Sequence, residues 1–345
     1  MVEICQPPPL LSICIPTYNR PSQFLRLAKC ICIQKRLEQI EIIIRDDSPN
    51  EQTRQITEEI LIPSGIPVKY FQGDKIGLDA ANIFLIENAT GAFVWWFGDD
   101  DEMRAGAVEN VINLIESDKE LKYIWANFDF ETEGNSVVDT YPRYFTSGDD
   151  ILTTLGVNIG LVSTHIMHRE TALESVQLAR SHLLGFGFAG LIPVLKIISG
   201  PGRFYLLGKP YILCNPTKIV EIISLTNKNG EIDNKGFDVY GVHFHHIINL
   251  FKGQFANKSI LGLLTKNFAS LWRGMLVGWV GGWDTPKGKR LRMLKLYWSY
   301  PECWIALLIF CMPRPIVKVF YQIYKIFFSH RKFVLRSKLQ VWLHK

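Results

Sequence analysis

Short apolar runs alternate with amphipathic stretches along the first 130 residues. The runs are rich in Ile, Val, Phe and Trp and end at polar or Gly-containing stretches, which predicts β-strands; the intervening apolar positions have helical spacing. The predicted strands are LLSICIP, IEIIIRD, VKYFQG, AFVWWF and LKYIWANFDF. Alternating strands and helices predict an α/β fold with a doubly wound parallel sheet, in which ligands bind at the carboxyl ends of the strands.

After residue 130, the alternation of predicted strands and helices is less regular. Further strands are predicted within LVSTHIMHRE (161–170) and FYLLGKPYILC (204–214), and the second is expected to close the sheet. The polar segment TNKNGEIDNKG (226–236) is the best candidate for a domain boundary. We therefore predict an α/β domain over residues 1–225 and a helical C-terminal region over residues 226–345.

Charge is divided unevenly along the chain. Residues 286–345 contain 13 of the 38 Lys and Arg residues but only one of the 33 acids, Glu302. The remainder, with 25 basic and 32 acidic side chains, is negative, so an acidic body is joined to a basic tail. This division is typical of a protein that meets an anionic surface, either membrane or nucleic acid.

The basic tail also has an amphipathic pattern. The run CWIALLIFCM (303–312) is too short to span a bilayer, which needs about 20 apolar residues. Beyond it, polar residues recur at steps of four and three: Lys318, Gln322, Lys325, Ser329, Lys332 and Arg336. We expect a helix that lies in an anionic membrane interface, with packing on the catalytic domain as the alternative. Nucleic acid is disfavoured because no recognition motif accompanies the aromatic residues.

The seven cysteines have no paired CxxC spacing and mostly lie inside apolar runs. They are expected to be reduced core residues of a cytosolic protein. The start MVEICQPPPL lacks the basic residues and long apolar core of a signal peptide. A cytoplasmic location, rather than export, is therefore expected.

Three polar loops directly follow predicted strands. PTYNR follows the first strand, RDDSPN the second and GDDDEM the fourth. Parallel strands share one carboxyl edge, so these loops are expected to converge. The adjacent carboxylates Asp99, Asp100 and Asp101 disfavour one another's ionisation unless a cation lies among them. A solvated acidic turn is the alternative.

Taken together, the loops resemble the family 2 glycosyltransferases of the GT-A fold. PTYNR resembles the loop that opens their donor domain, and IIIRDDSPN resembles their second-strand acidic motif. IGLDAANIFLIENATGAFVWWFGDDD is similar to their run of Gly, Asn, helix, Gly, strand and carboxylates. IPTYNRPSQFLRL, with Gly98 before the acids, resembles bacterial abequosyltransferase-like enzymes of O-antigen assembly. The resemblance covers about residues 10–214 and is strongest over residues 10–103.

The resemblance implies a site for a nucleoside diphosphate sugar and a divalent cation, Mg²⁺ or Mn²⁺. The implied donor residues are Pro16, Thr17, Tyr18, Asn19, Arg20, Asp46, Asp47, Asp79 and Asn82. Turn formation by the first two loops and helix capping by Asp79 are the alternatives. The metal would bridge the diphosphate to the acids. Asp99 and Asp101 have D-x-D spacing. If the family motif D-x-D-D is instead aligned to begin at Gly98, its last two positions are Asp100 and Asp101. Asp101 is a candidate ligand in both alignments, which we call the two metal frames.

The catalytic base is left unassigned. Inverting family members carry an acid near a later helix, where this chain reads GFGFAGLIPVLKII. The nearest substitutes are His182, His165, His168, Asp149 and Asp150. Histidine has a suitable pKa for a general base, but a histidine in an apolar run is often a core residue. The cluster HFHH (243–246) resembles a metal site by composition alone.

These expectations combine into a peripheral enzyme on the inner face of the cytoplasmic membrane. It would transfer a sugar to a hydroxyl of a surface polysaccharide intermediate. A lipid-linked acceptor is expected from the tail and not from the catalytic motifs. The alternatives are an enzyme with a soluble or protein acceptor, a non-catalytic sugar-nucleotide-binding protein, and a membrane scaffold that uses the fold only for contacts.

Overall fold

The computed structural model describes residues 8–130, 141–183, 188–214, 238–280, 295–313, 315–320 and 322. The first elements are β1 Leu11–Thr17, α1 Pro21–Cys32, β2 Ile40–Asp46, α2 Gln52–Ile56, β3 Val68–Gln72, α3 Leu78–Asn88, β4 Phe93–Trp96, β5 Glu102–Met103, α4 Ala107–Ser117 and β6 Leu121–Phe130. They are followed by β7 Arg143–Phe145, α5 Gly148–Leu155, β8 His165–His168, α6 Arg169–Leu173, α7 Val176–Ser181, α8 Leu191–Ser199 and β9 Arg203–Cys214. Later helices cover Phe244–Leu250, Asn257–Val280 and Pro301–Cys311, and residues 315–320 are also helical.

The described strands form one nine-stranded sheet in the order β3-β2-β1-β4-β8-β6-β9-β5, with β7 paired to β9. Strands β1 to β4 are parallel, as predicted. The sheet as a whole is mixed, because β8 lies antiparallel between β4 and β6. The connection from β6 to β8 begins and ends at the same edge of the sheet, so it does not make the crossover that a parallel strand requires. The α/β fold and the parallel arrangement predicted from the first strands are confirmed, and β8 adds an antiparallel strand that was not predicted.

Strand β8 is also shorter than predicted. Of the apolar run 161–170, only His165–His168 is extended, and Val162–Thr164 forms a turn of 3₁₀ helix before it. This turn places Ser163 beside β4, where its backbone carbonyl accepts the indole N–H of Trp95 at 2.8 Å. The turn thus lies next to the end of the strand that precedes the three acids.

The buried strands β1, β2 and β4 form the centre of the core. All seven residues of β1 and of β2 are buried, as are all four of β4. Leu11 pairs with Ile40 on one side and with Phe93 on the other, and at the far end Thr17 pairs with Asp46. This register aligns the carboxyl ends of the strands, from which the polar loops extend.

The chain divides into two compact units. One contains residues 1–220 and 238–264, and the other contains residues 221–237 and 265–345. The predicted boundary between residues 225 and 226 lies outside the described residues and stays a prediction. In the second unit Tyr297 is fully buried, packs on the ring of Phe268 and accepts a hydrogen bond from Asn267. No helix in the described part of the chain has both the length and the apolar character needed to cross a membrane.

Candidate functional site

The loop after β1 and the acidic loop after β4 are joined by hydrogen bonds to Asp99. The hydroxyl of Thr17 donates to Asp99 Oδ2 at 2.9 Å, and Arg20 Nη1 donates to Asp99 Oδ1 at 3.0 Å. Arg20 also lies 4.0 Å from Asp100 Oδ1. Asp99 is only 3% exposed, so the guanidinium supplies the positive charge that a buried carboxylate requires. The carboxylate of Asp99 is therefore held by the first loop.

The loop after β2 contacts the first loop. Ser48 Oγ accepts the backbone N–H of Asn19 at 2.7 Å, and the amide of Asn50 donates to the side-chain oxygen of Asn19 at 3.2 Å. Asn19 has φ of 54°, in the left-handed region that Asn tolerates better than most residues. All three loops predicted from the sequence thus meet at one edge of the sheet.

Asp46 forms a turn inside the second loop. Its Oδ1 accepts the backbone N–H of Ser48 at 2.8 Å, and its Oδ2 accepts the hydroxyl of Tyr70 at 2.5 Å. Burial, followed by the hydrogen bond to Asp46, raises the pKa of Tyr70, so the phenol remains a donor. These contacts are those of the turn-forming alternative; a role for Asp46 in nucleotide binding stays a prediction.

Asp47 connects the second loop to the start of α3. Arg45 Nε donates to its Oδ1 at 3.0 Å. The backbone N–H groups of Ile76 and Gly77 donate to its Oδ2 at 2.9 and 3.0 Å. Asp47 therefore orders the segment that leads into α3, and its proposed contact with the nucleotide is likewise untested.

Helix α3 faces the segment before α8. Gly77, not Asp79, is the N-cap of α3. The buried carboxylate of Asp79 accepts the backbone N–H groups of Phe188 at 3.4 Å and Gly190 at 3.3 Å. The side-chain oxygen of Asn82 is buried without a hydrogen-bond partner among the described residues. The segment GFGFAGLIPVLKII, where inverting family members are expected to carry an acid, has none of its own, and the carboxylate of Asp79 contacts its described residues.

A small space above Gly98 is surrounded by oxygen atoms. A Cβ built at Gly98 would lie 3.2 Å from Asp100 Oδ1, 3.2 Å from Ser163 Oγ and 3.5 Å from Asp101 Oδ2. Ser163 Oγ accepts the N–H of Gly98 at 2.9 Å and donates to Asp101 Oδ2 at 2.5 Å. Carboxylate and hydroxyl oxygens are ligands that suit Mg²⁺ and Mn²⁺. The residues present therefore fit a hard divalent cation.

Two residues of this site were not predicted from the sequence. Ser163 is 65 positions from Gly98 and lies in a run predicted to be a strand, so no local pattern indicates its role. Burial raises the pKa of Cys214, and the charges of Asp101 and Asp100 raise it further, so the thiol stays protonated. Among the described residues, no group of three or more His, Cys, Asp or Glu side chains could hold a metal alone.

His165 has the environment of a core residue. It is 2% exposed, and its ring nitrogens lie 2.8 Å from the hydroxyl of Tyr123 and 2.9 Å from the carbonyl oxygen of Ile159. Burial lowers its pKa to about 3. Because both nitrogens are occupied and the ring is enclosed, the core alternative fits this histidine better than a general base.

Two further candidate bases, Asp150 and His182, lie in or directly after helices. Asp150 is exposed in the first turn of α5, where its backbone N–H is capped by Ser147 Oγ. His182 is half-buried directly after α7, with its ring centroid 5.5 Å from that of His246. No hydrogen bond between described residues joins either to the acidic loop. Their roles as bases stay predictions.

Comparison with known proteins agrees with this geometry. Residues 12–173 match the model of Glycosyl transferase family 2. A Campylobacter jejuni GalNAc(5)-diNAcBac-PP-undecaprenol beta-1,3-glucosyltransferase is 30% identical over 129 residues, which cover 37% of this chain and 40% of that protein. The abequosyltransferase RfbV of Salmonella typhimurium is 26% identical over 223 residues, covering 59% of this chain and 66% of that protein. The chain thus spans only part of each relative.

A solved structure resembles the chain over most of its length. Residues 1–349 of S. aureus TarS superpose with a TM-score of 0.59 at 14% identity, covering 85% of this chain and 81% of that one. The same TarS fragment in complex with UDP-GlcNAc superposes with a TM-score of 0.57. At this identity the likeness shows the fold alone. Residues 12–173 are therefore similar to Glycosyl transferase family 2, and the fold is GT-A-like.

Proposed function

We propose that this protein transfers a sugar from a nucleoside diphosphate sugar to a hydroxyl of a surface polysaccharide intermediate, such as an O-antigen precursor. The observation that supports it best is the joining of two loops through Asp99, which bonds Thr17 and Arg20. In a family 2 domain, this contact gathers polar groups and acids at the carboxyl edge of the sheet, where ligands of such sheets bind.

In this proposal the donor nucleotide lies against the first loops. The residues assigned to it are Pro16, Thr17, Tyr18, Asn19, Arg20, Asp46, Asp47, Asp79 and Asn82. Tyr18 is 40% exposed, and Lys75 Nζ lies 3.7 Å from its ring centroid. An exposed aromatic ring beside a cation offers a stacking surface for a base and a positive charge for a phosphate.

The acids would hold Mg²⁺ or Mn²⁺ between the protein and the diphosphate. Asp100 and Asp101 are the assigned ligands because their oxygens face the same point above Gly98; Asp99 is retained as a candidate although it is paired with Arg20. When bound, the cation would neutralise the charge of the departing diphosphate. Ser163 orients Asp101 through its hydroxyl, and Arg20 offsets the charge of Asp99.

The acceptor is proposed to be lipid-linked, and the enzyme to be peripheral on the inner face of the cytoplasmic membrane. The basic tail supports this proposal, and the name of the Campylobacter relative refers to an undecaprenol-linked glycan. A protein that binds the sugar nucleotide without catalysis is the second candidate, favoured by the missing acid before α8. No partner among nucleic acids is proposed.

Isothermal titration with UDP, GDP, CDP and dTDP, with and without Mn²⁺, tests the donor site. We expect one nucleotide to bind at least about tenfold more tightly with Mn²⁺, since the cation offsets repulsion between the acids and the diphosphate. Equal binding without metal would contradict the metal role. Absence of binding by every nucleotide under both conditions would contradict the donor site and favour the scaffold.

Replacing Gly98 with Asp tests the metal frame. We expect Gly98→Asp to weaken Mn²⁺-dependent nucleotide binding by about tenfold, because a third carboxylate would crowd and repel Asp100 and Asp101. The Gly98→Ala variant adds only the methyl group and separates crowding from charge. Tighter binding by Gly98→Asp than by the wild type would instead assign the first ligand position to residue 98, as in the D-x-D-D frame.

A further inference from the structure

The described part of the second unit has an exposed apolar surface. It lies on the helix Pro301–Cys311, on Met312 directly after that helix and on helical residues 315–320, and its side chains are 40% to 65% exposed. We call this surface the apolar stripe; its members are Trp304, Ile305, Leu308, Met312, Ile316, Val319 and Phe320. Trp304 and Leu308 lie four positions apart in the first helix, as do Ile316 and Phe320 in the second, so each pair shares one side of its helix.

The other side of these helices is packed against protein. Cys303 is fully buried and Val317 is 4% exposed, and Tyr300, directly before the first helix, is 6% exposed. Each helix therefore has a described side chain that is buried, while the members of the apolar stripe are exposed. Isolated exposed apolar residues are common, but a contiguous group of large ones marks an interaction surface.

The charge of the sequence that contains and follows the stripe favours one kind of partner. Residues 312–345 contain eight Lys or Arg residues and no Asp or Glu. A second copy of this chain would bring the same positive charge to the contact and be repelled, whereas an anionic lipid surface would be attracted. Trp304, with its indole N–H donating to the carbonyl oxygen of Trp298 at 2.8 Å, and Phe320 suit the boundary between headgroups and acyl chains.

We infer that the apolar stripe inserts into the interface of an anionic membrane. The stripe supplies apolar burial and the basic residues supply attraction to the lipid headgroups, and both are needed for stable binding. This inference deepens the proposed function, on which it rests for its biological purpose, because it names the surface through which the enzyme would reach a lipid-linked acceptor. The contact is expected to be shallow, since no helix in the described part of the chain is long and apolar enough to cross a bilayer.

Vesicle flotation tests the inference with the full-length protein. Vesicles of phosphatidylcholine alone are compared with vesicles of equal parts phosphatidylcholine and phosphatidylglycerol, for the wild type and for Leu308→Glu, Phe320→Glu and Leu261→Glu. Leu261 is 53% exposed on the helix Asn257–Val280 and is the matched control. We expect wild type and Leu261→Glu to bind the anionic vesicles, and each stripe variant to bind at least about tenfold less.

Each other outcome overturns the inference. Equal binding by wild type and both stripe variants would show that the stripe is not part of the membrane contact. Equal binding to both vesicle types would show that the negative charge of the lipid is not needed. A third outcome is that the wild type fails to bind vesicles and forms a dimer, measured by light scattering, that Leu308→Glu dissociates. That result would mean that the stripe binds a second copy of this chain. Leu308→Gln replaces Leu308→Glu if the latter fails to fold. Nucleotide titration without vesicles is run in parallel, so that failure of the donor site and failure of the stripe are distinguished.

Discussion

Replacing Asp101 with Asn is expected to reduce release of nucleoside diphosphate from the preferred donor by about a thousandfold. A metal contributes several kcal/mol of charge stabilisation in the transition state, and about 1.4 kcal/mol corresponds to a factor of ten in rate. Asp101 is retained by both metal frames, and its Oδ2 is oriented by Ser163. The amide of Asn keeps the shape and one acceptor oxygen but removes the negative charge that holds the cation.

The kinetics of this variant separate a metal ligand from a structural residue. We expect kcat to fall and the Mn²⁺ concentration needed for half-maximal rate to rise, with an unchanged thermal midpoint. Glu116→Gln is the matched control, because Glu116 is an exposed acid bonded to Arg36 and Gln39, which precede β2 at the opposite edge of the sheet. If Asp101→Asn keeps the wild-type rate and Mn²⁺ dependence, the acidic run is a solvated turn and not a metal site.

Replacing Glu41 with Ala is expected to lower the free energy of unfolding by about 3 kcal/mol, because hydrogen-bond donors around a buried carboxylate would lose their acceptor. Glu41 is 3% exposed. Its Oε1 accepts hydrogen bonds from Ser12 at 2.7 Å and from the backbone N–H of Thr90 at 2.6 Å, and Lys69 Nζ lies 2.9 Å from its Oε2. These contacts join β1, β2 and β3 to the turn before β4, far from the acidic loop in sequence.

The stabilisation by Glu41 should depend on pH. Burial alone would raise the pKa of the Glu41 carboxyl, but hydrogen bonds from Ser12, Lys69 and Thr90 outweigh burial and hold the pKa below its ordinary value. The stabilisation is therefore complete above the unfolded-state pKa of about 4.3 and is lost as pH falls through the folded-state pKa. Urea unfolding of wild type and Glu41→Ala across this range measures the difference.

The difference between the two proteins is expected to be constant at neutral pH and to shrink in acid. Glu58→Ala, which removes an exposed acid, is the control and should unfold at the wild-type midpoint. A Glu41→Ala variant as stable as the wild type at pH 7 would mean that the network is offset by the cost of burying the charge.

The sequence by itself determined the central strands and the loops that follow them. Continuous apolar runs such as those of β1, β2 and β4 are local signals, and parallel neighbours bring their following loops to one edge. The acidic run Asp99–Asp101 was therefore predicted at the site before any contact was known. The family resemblance rests on these same local motifs, which is why it is strongest over residues 10–103.

Only the tertiary structure decided which distant groups join the site and which are enclosed. Ser163 reaches Gly98, and Asp79 reaches Gly190, through contacts between residues 65 and 111 positions apart, which no local pattern encodes. His165 became a core residue because β8 inserts antiparallel between two strands. The apolar stripe could not be predicted from local sequence for a similar reason. Periodicity shows that a helix is apolar, but only packing decides which of its sides is covered.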